Sequence, residues 1–67
     1  AFDVLRAWRR EEARRQAVPA YVIFHDRTLA EIADLMPSGV RELAAVPGVG
    51  ASRADRYGDA VLTLLHE

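Results

Sequence analysis

The sequence contains no cysteine, no lysine and only two histidines, His25 and His66, which lie far apart in the chain. Without cysteine the chain has no disulfide framework and no thiolate metal site, and two distant histidines do not supply a ligand set. Without lysine it cannot form the Walker A loop GxxxxGK[ST], whose lysine reaches the nucleotide phosphates. We therefore expect no metal, no cofactor and no ATPase motor in this chain.

Long apolar runs are also absent, since no stretch approaches the roughly 18 residues of a membrane span. The 67 residues suffice for one small domain, which would bury about 60% of the surface that its unfolded chain exposes. With 51% hydrophobic and 28% charged residues, the composition is that of an ordinary globular protein. The first residues show a helical rhythm and no signal-peptide pattern, so we interpret the chain as a soluble internal module of a longer protein.

Charge is low overall and unevenly placed. Residues 1–16 carry five arginines and three acidic residues, a net charge of +2, whereas residues 17–67 carry four arginines and seven acidic residues, a net charge of −3. The total of −1 argues against strong autonomous binding to nucleic acid, because that affinity grows with the number of phosphates neutralised. Any binding to nucleic acid should be weak.

The first third of the chain has one clear helical pattern and one segment of strand-like composition. Phe2, Leu5 and Trp8 recur on one helical face, so residues 2–16 are predicted to form a helix with Trp8 in the core. Residues 18–24 have no second strand to pair with, and we predict an extended or one-turn 3-10 connector there.

Capping signals divide the rest of the chain. Residues 28–36 have the apolar spacing of a helix, and Thr28 and Glu31 form a capping box at its start. Pro37 is expected to stop this helix. A short fourth helix is predicted to follow, with Ser38 or Gly39 as its N-cap.

The last segment is predicted to be helical in two parts. Ser52 and Asp55 have the spacing of a second capping box, and Gly58 is expected to break or bend the helix. The whole pattern predicts an all-α bundle of about five short helices.

The turn AAVPGVGA, residues 44–51, holds two of the four glycines. It could bring backbone N–H groups up to a phosphate, or it could form a sharp corner that binds nothing. We favour the corner, which lets Leu43, Val46 and Val49 reach the core. The N–H groups of Gly50 and Ala51, near Arg53, remain a candidate for a single phosphate contact.

Two stretches, VPAYVIFHDRTLAEIADLMP (residues 18–37) and ELAAVPGVGASRADRYGDAVL (residues 42–62), resemble the HRDC domain, the helicase-and-RNase-D C-terminal module. The resemblance covers nearly the whole chain and implies one five-helix domain over residues 1–67 that carries out no chemistry. It implies a monomeric accessory domain of a RecQ-type DNA helicase, cytoplasmic or, in a eukaryote, nuclear. Family members contact nucleic acid weakly or dock on other parts of the parent enzyme, and so adjust which DNA structures it engages.

The resemblance also assigns a candidate DNA contact. Tyr21 corresponds to the aromatic residue on the single-strand surface of DNA-binding members, where a ring can stack on any base. The alternative is a partly buried core aromatic with a hydrogen-bonded hydroxyl. Ala20 departs from the pattern, because the family often has a second proline there.

Arginines near the end of the first helix are the candidate phosphate contacts beside Tyr21. The alternative is structural, since arginines at a helix C-terminus complement the helix dipole and pair with Glu11 and Glu12. The candidates are Arg10, Arg14 and Arg15.

The middle of the chain departs from the basic patch typical of DNA-binding members. Acidic residues on a helix commonly form only a solvated face. The sharper hypothesis is that they dock on a basic surface of the motor core or of a sibling domain. The predicted docking residues are Asp26, Glu31, Asp34 and Glu42.

Three functions remain open from the sequence. The first is a regulatory accessory domain of a helicase, and the second is a purely protein-binding module. The third is a helix-hairpin-helix DNA-binding piece of another repair enzyme or of ribonuclease D. The first 36 residues, which a lone hairpin would not require, favour the first over the third. The sequence shows neither a pair of carboxylates nor a nucleophile with a base that would indicate catalysis.

Overall fold

The computed structural model describes all 67 residues, and it contains five helices and no strand. The first helix packs against the second, third and fifth, and the fourth packs against the fifth. None of these helices has the length and apolar character needed to cross a membrane. The predicted all-α bundle is confirmed, with α1 at Phe2–Gln16, α2 at Ala20–Ile23, α3 at Asp26–Leu35, α4 at Val40–Ala44 and α5 at Gly50–His66.

One hydrophobic core receives side chains from all five helices. Its most enclosed members include Leu5, Leu29 and Leu43, and burial of each such side chain contributes roughly 1.5–3 kcal/mol relative to exposure. Trp8 packs edge-on against Tyr57, with ring centroids 5.6 Å apart, and lies 6.1 Å from Phe24. The prediction that Trp8 is a packing residue is confirmed.

A buried arginine joins α1 to the segment between α2 and α3. Arg9 is only 8% exposed. Its Nη1 donates to the carbonyl oxygen of Phe24 at 2.8 Å, and its Nη2 donates to Oδ1 of Asp26 at 2.6 Å. The Arg9 guanidinium holds the pKa of the Asp26 carboxyl below its ordinary value, first through this hydrogen bond and then through its charge. The two bonds therefore tie α1 to the last residue before His25 and to the first residue of α3.

The residues after α1 form one turn of α-helix instead of an extended or 3-10 connector. Pro19 and Phe24 on either side of α2 are extended, and the N–H of Phe24 donates to the carbonyl oxygen of Ala20 at 3.4 Å. Ile23 and Phe24 are buried, whereas Val22 lies at the surface.

The capping box predicted at Thr28 and Glu31 is wrong. The helix begins two residues earlier, at Asp26, with His25 at the N-cap position. Thr28 is 4% exposed and its hydroxyl donates to the carbonyl oxygen of Pro47 at 3.4 Å, so it faces the core side and caps nothing. The end of this helix before Pro37 is confirmed.

The fourth helix begins after Gly39, as predicted. Glu42 accepts hydrogen bonds from the backbone N–H and the hydroxyl of Ser38, both at 3.0 Å. These two bonds lower the pKa of Glu42. The acidic side chain thus ties the loop before α4 to its own helix.

The predictions for the start and middle of α5 are wrong. Residue 52 lies inside the first turn, because the helix begins at Gly50, and Val49 at the N-cap position makes no side-chain cap. Gly58 does not interrupt the helix. A Cβ at Gly58 would lie 3.5 Å from Cγ2 of Val40 and 3.7 Å from Cδ2 of Leu43, so this glycine is where α4 packs closely on α5.

Replacing Arg9 tests whether the buried guanidinium stabilises the fold. We expect Arg9→Ala to lower the free energy of unfolding by about 3 kcal/mol, because it removes a buried charged hydrogen bond and leaves the Phe24 carbonyl unsatisfied. Arg10→Ala, at an exposed position of the same helix, should change it by less than about 0.5 kcal/mol. Urea unfolding followed by circular dichroism measures both variants, and equal stabilities would contradict the assignment.

Candidate nucleic-acid interface

Tyr21 lies on the outer side of α2 with 59% of its surface exposed. Its ring stacks on the ring of His25, with centroids 5.9 Å apart and planes inclined by 25°. The alternative of a partly buried core aromatic is therefore wrong. Ile23 in the same turn is buried, so α2 presents one aromatic ring outward and one aliphatic side chain inward.

The surface beside Tyr21 is a shallow hollow with basic side chains in its lining. Arg9 reaches this hollow, but its guanidinium is already bonded to Phe24 and Asp26. Arg27 is exposed and forms no ion pair. The lining residues are Arg9, Ala20, Tyr21, His25, Asp26 and Arg27.

A second hollow continues the same surface toward the turn at residues 44–51. Its lining residues are His25, Arg27, Thr28, Pro47 and Gly48, so two residues belong to both hollows. The turn packs closely against Thr28 here, since a Cβ at Gly48 would collide with Oγ1 of Thr28. Gly48 also has a φ of +90°, which favours glycine. We call the surface formed by both hollows the Tyr21 surface.

The turn itself is a corner, as the sequence favours. Leu43, Val46 and Val49 are all buried in the core. Gly50 also has a positive φ, of +73°, and nothing stands within 4 Å of the position of a Cβ there. The phosphate contact expected at Gly50 and Ala51 stays a prediction, and neither residue lines the Tyr21 surface.

The arginines predicted beside Tyr21 do not line its surface. Arg14 pairs with Glu11 at 3.4 Å, and Arg15 pairs with Glu12. Arg15 lines a different groove, between α1 and α5. Arg10 is exposed on α1. Because Arg9 takes the inward position at this level of the helix, the neighbouring arginines point elsewhere.

Arg53 has a structural contact that the sequence does not reveal. Its Nε donates to the carbonyl oxygen of Ile23 at 2.9 Å, and its Nη2 lies 3.4 Å from the carbonyl oxygen of Val22. These bonds satisfy carbonyl groups at the end of α2, which has no continuing helix to accept them. Arg53 therefore ties α5 to the end of α2.

The four acidic residues predicted for docking fall into two kinds. Asp26 and Glu42 are bonded within the chain, to Arg9 and Ser38. The other two, Glu31 and Asp34, lie on α3 and form no ion pair. They stand next to two exposed apolar residues at the end of that helix, Leu35 at 59% exposure and Met36 at 40%.

Sequence reasoning missed His25 and Arg27 as surface residues of the site. The available signal was the run of aromatic and basic residues from Tyr21 to Arg27, in which Tyr21 and His25 are four positions apart. Helical spacing alone did not reveal the stacked pair, because α2 ends at Ile23 and His25 lies outside it.

The fold is a small all-α domain of five helices around one core. The sequence model of the HRDC domain matches residues 1–65, and the chain belongs to the HRDC family. The solved structure of HRDC domain 3 of D. radiodurans RecQ aligns with a TM-score of 0.91 and 35% identity, covering 97% of this chain and 86% of that one.

Full-length relatives are helicases of two types. The ATP-dependent DNA helicase UvrD2 of Mycobacterium tuberculosis is 48% identical over 91% of this chain. The ATP-dependent DNA helicase RecQ of Haemophilus influenzae is 35% identical over 98% of it. The chain spans 9% of the first protein and 11% of the second, about a tenth of each helicase.

Proposed function

We propose that this chain is a non-catalytic accessory domain of an ATP-dependent DNA helicase and that it contacts single-stranded DNA weakly through Tyr21. The observation that carries the proposal is the exposed Tyr21 ring, which stacks on His25 beside the exposed Arg27. Base stacking on such a ring contributes about 1–3 kcal/mol and tolerates any sequence. The relatives support a parent of the RecQ type, which the sequence favours, or of the UvrD type.

Weak binding is sufficient for a domain that is tethered to a motor. A dissociation constant of about 1 mM corresponds to only −4.1 kcal/mol, but a short linker gives an effective concentration in the millimolar range. A single stacked base and few phosphate contacts then shift the parent enzyme toward substrates that have an accessible single strand. The net charge of −1 is consistent with such a small number of phosphate contacts.

The competing functions account for less of the chain. A lone helix-hairpin-helix piece does not explain the first 36 residues, whereas the HRDC match includes them. The helicase relatives favour a helicase parent over ribonuclease D.

Substitution of Tyr21 tests the DNA contact in the isolated domain. We expect Tyr21→Ala to weaken binding to labelled single-stranded DNA about tenfold at low salt, because a stacked base is lost. Tyr21→Phe should bind like the unchanged domain, since it keeps the ring. Val22→Ala, an exposed neighbour in α2, is the matched control and should have no effect.

Fluorescence anisotropy at two salt concentrations measures these affinities. If the unchanged domain does not bind even at low salt, the DNA contact is wrong and the function is protein docking alone.

We also propose a second role for the acidic end of α3. Glu31 and Asp34 are free of ion pairs and adjoin exposed Leu35 and Met36, an arrangement of charge and apolar surface that suits a basic protein surface. In the parent helicase the partner would be the motor core or a sibling domain. Docking there would compete with DNA for the same basic surface.

Charge reversal tests this docking in the full-length helicase. Glu31→Lys with Asp34→Lys should change DNA affinity roughly two- to thirtyfold, because two exposed pairs are worth about 0.2–1 kcal/mol each. Asp55→Lys with Asp59→Lys changes the net charge equally at exposed positions of α5 and should have a much smaller effect. Unchanged DNA affinity and unwinding in the first variant would contradict the docking role.

A further inference from the structure

Arg27 has no stabilising partner in the folded chain. It lies exposed in the first turn of α3, where a positive charge opposes the helix dipole, and it forms neither a hydrogen bond nor an ion pair. A cation in this position does not contribute to stability. Its charge is therefore available for an interaction with a molecule outside the chain.

The hollow between α3 and the 44–51 turn is lined by hydrogen-bond donors. Arg27, His25 and Gly48 are among its lining residues, and the N–H of Gly48 donates to no group in the chain. The Pro47 carbonyl there already accepts a hydrogen bond from Thr28. No carboxylate lines this hollow. A guanidinium, an imidazole and a free backbone N–H together suit an anion with several oxygen atoms.

We infer that this hollow binds one backbone phosphate of the strand whose base stacks on Tyr21, and the inference rests on the proposed DNA contact. His25 connects the stacking contact and the phosphate contact, because its ring stacks on Tyr21 and the residue also lines the hollow. Phosphate binding is thus assigned to Arg27, His25 and the Gly48 N–H, and not to the arginines at the end of α1.

The salt dependence of binding separates the phosphate contact from the stacking contact. For single strands, the slope of log K against log salt changes by about 0.7 for each phosphate neutralised. We expect Arg27→Gln to make the slope shallower by about 0.7 and to weaken binding severalfold at low salt. Tyr21→Ala should weaken binding and leave the slope unchanged.

Arg41→Gln is the matched control, since Arg41 is an exposed arginine on α4 outside both hollows. It removes the same charge and should leave the slope close to that of the unchanged domain. The melting temperature of Arg27→Gln should equal or slightly exceed that of the unchanged domain. This measurement checks that the variant folds.

A strand of abasic nucleotides separates the two contacts further, because it keeps the phosphates and lacks the bases. On this strand the effect of Arg27→Gln should persist and the effect of Tyr21→Ala should disappear. Inorganic phosphate, titrated separately and followed by NMR, should shift the Gly48 amide signal in the unchanged domain and not in Arg27→Gln.

The outcomes distinguish this inference from the proposed function. If Tyr21→Ala weakens binding but the salt slope of Arg27→Gln equals that of the control Arg41→Gln, the phosphate site is wrong and the stacking contact stands. A Gly48 shift with inorganic phosphate but no change of slope on DNA would restrict the hollow to free anions and overturn the inference. No binding of any strand would overturn both.

Discussion

The guanidinium of Arg9 is the contact on which the Tyr21 surface depends. Its bonds to the Phe24 carbonyl and to Asp26 connect α1 to the residues on both sides of His25. A helix of four residues such as α2 has no stability of its own, since helix formation begins with an unfavourable nucleus. Arg9 from α1 and Arg53 from α5 satisfy the carbonyl groups at its end. Tyr21 can therefore stay exposed while Ile23 and Phe24 are held in the core.

The bonds of the arginines reduce the number of cations that the domain can offer to DNA. Arg9 and Arg53 are bonded to the chain, and Arg14 and Arg15 pair with acidic residues on their own helix. Five arginines have neither an acidic partner nor a backbone bond, and among them Arg27 is the one that lies beside the exposed aromatic pair. In the proposed function, the domain adds one or two DNA contacts to those that the motor of the parent enzyme makes.

Local sequence patterns predicted the helices better than the site. The apolar spacing in residues 2–16 and 28–36 reports which face is buried, so it located α1 and most of α3. The capping box failed because Thr28 packs against the 44–51 turn, and the break at Gly58 failed because α4 packs there; both contacts join residues distant in sequence. For the same reason the pattern could not tell that Arg9 turns inward and that Arg27 stays free. Tyr21 was found through the family resemblance, and its exposure required the fold.

The central claim is that single-stranded DNA lies across the Tyr21 surface, between α2 and the 44–51 turn. A titration of the isotope-labelled domain with a short thymidine oligonucleotide, followed by amide NMR shifts, tests it most directly. We expect the largest shifts at Tyr21, His25, Arg27 and Gly48, with little change at Glu31 and Asp34. Shifts concentrated at Arg15, in the groove between α1 and α5, would contradict it.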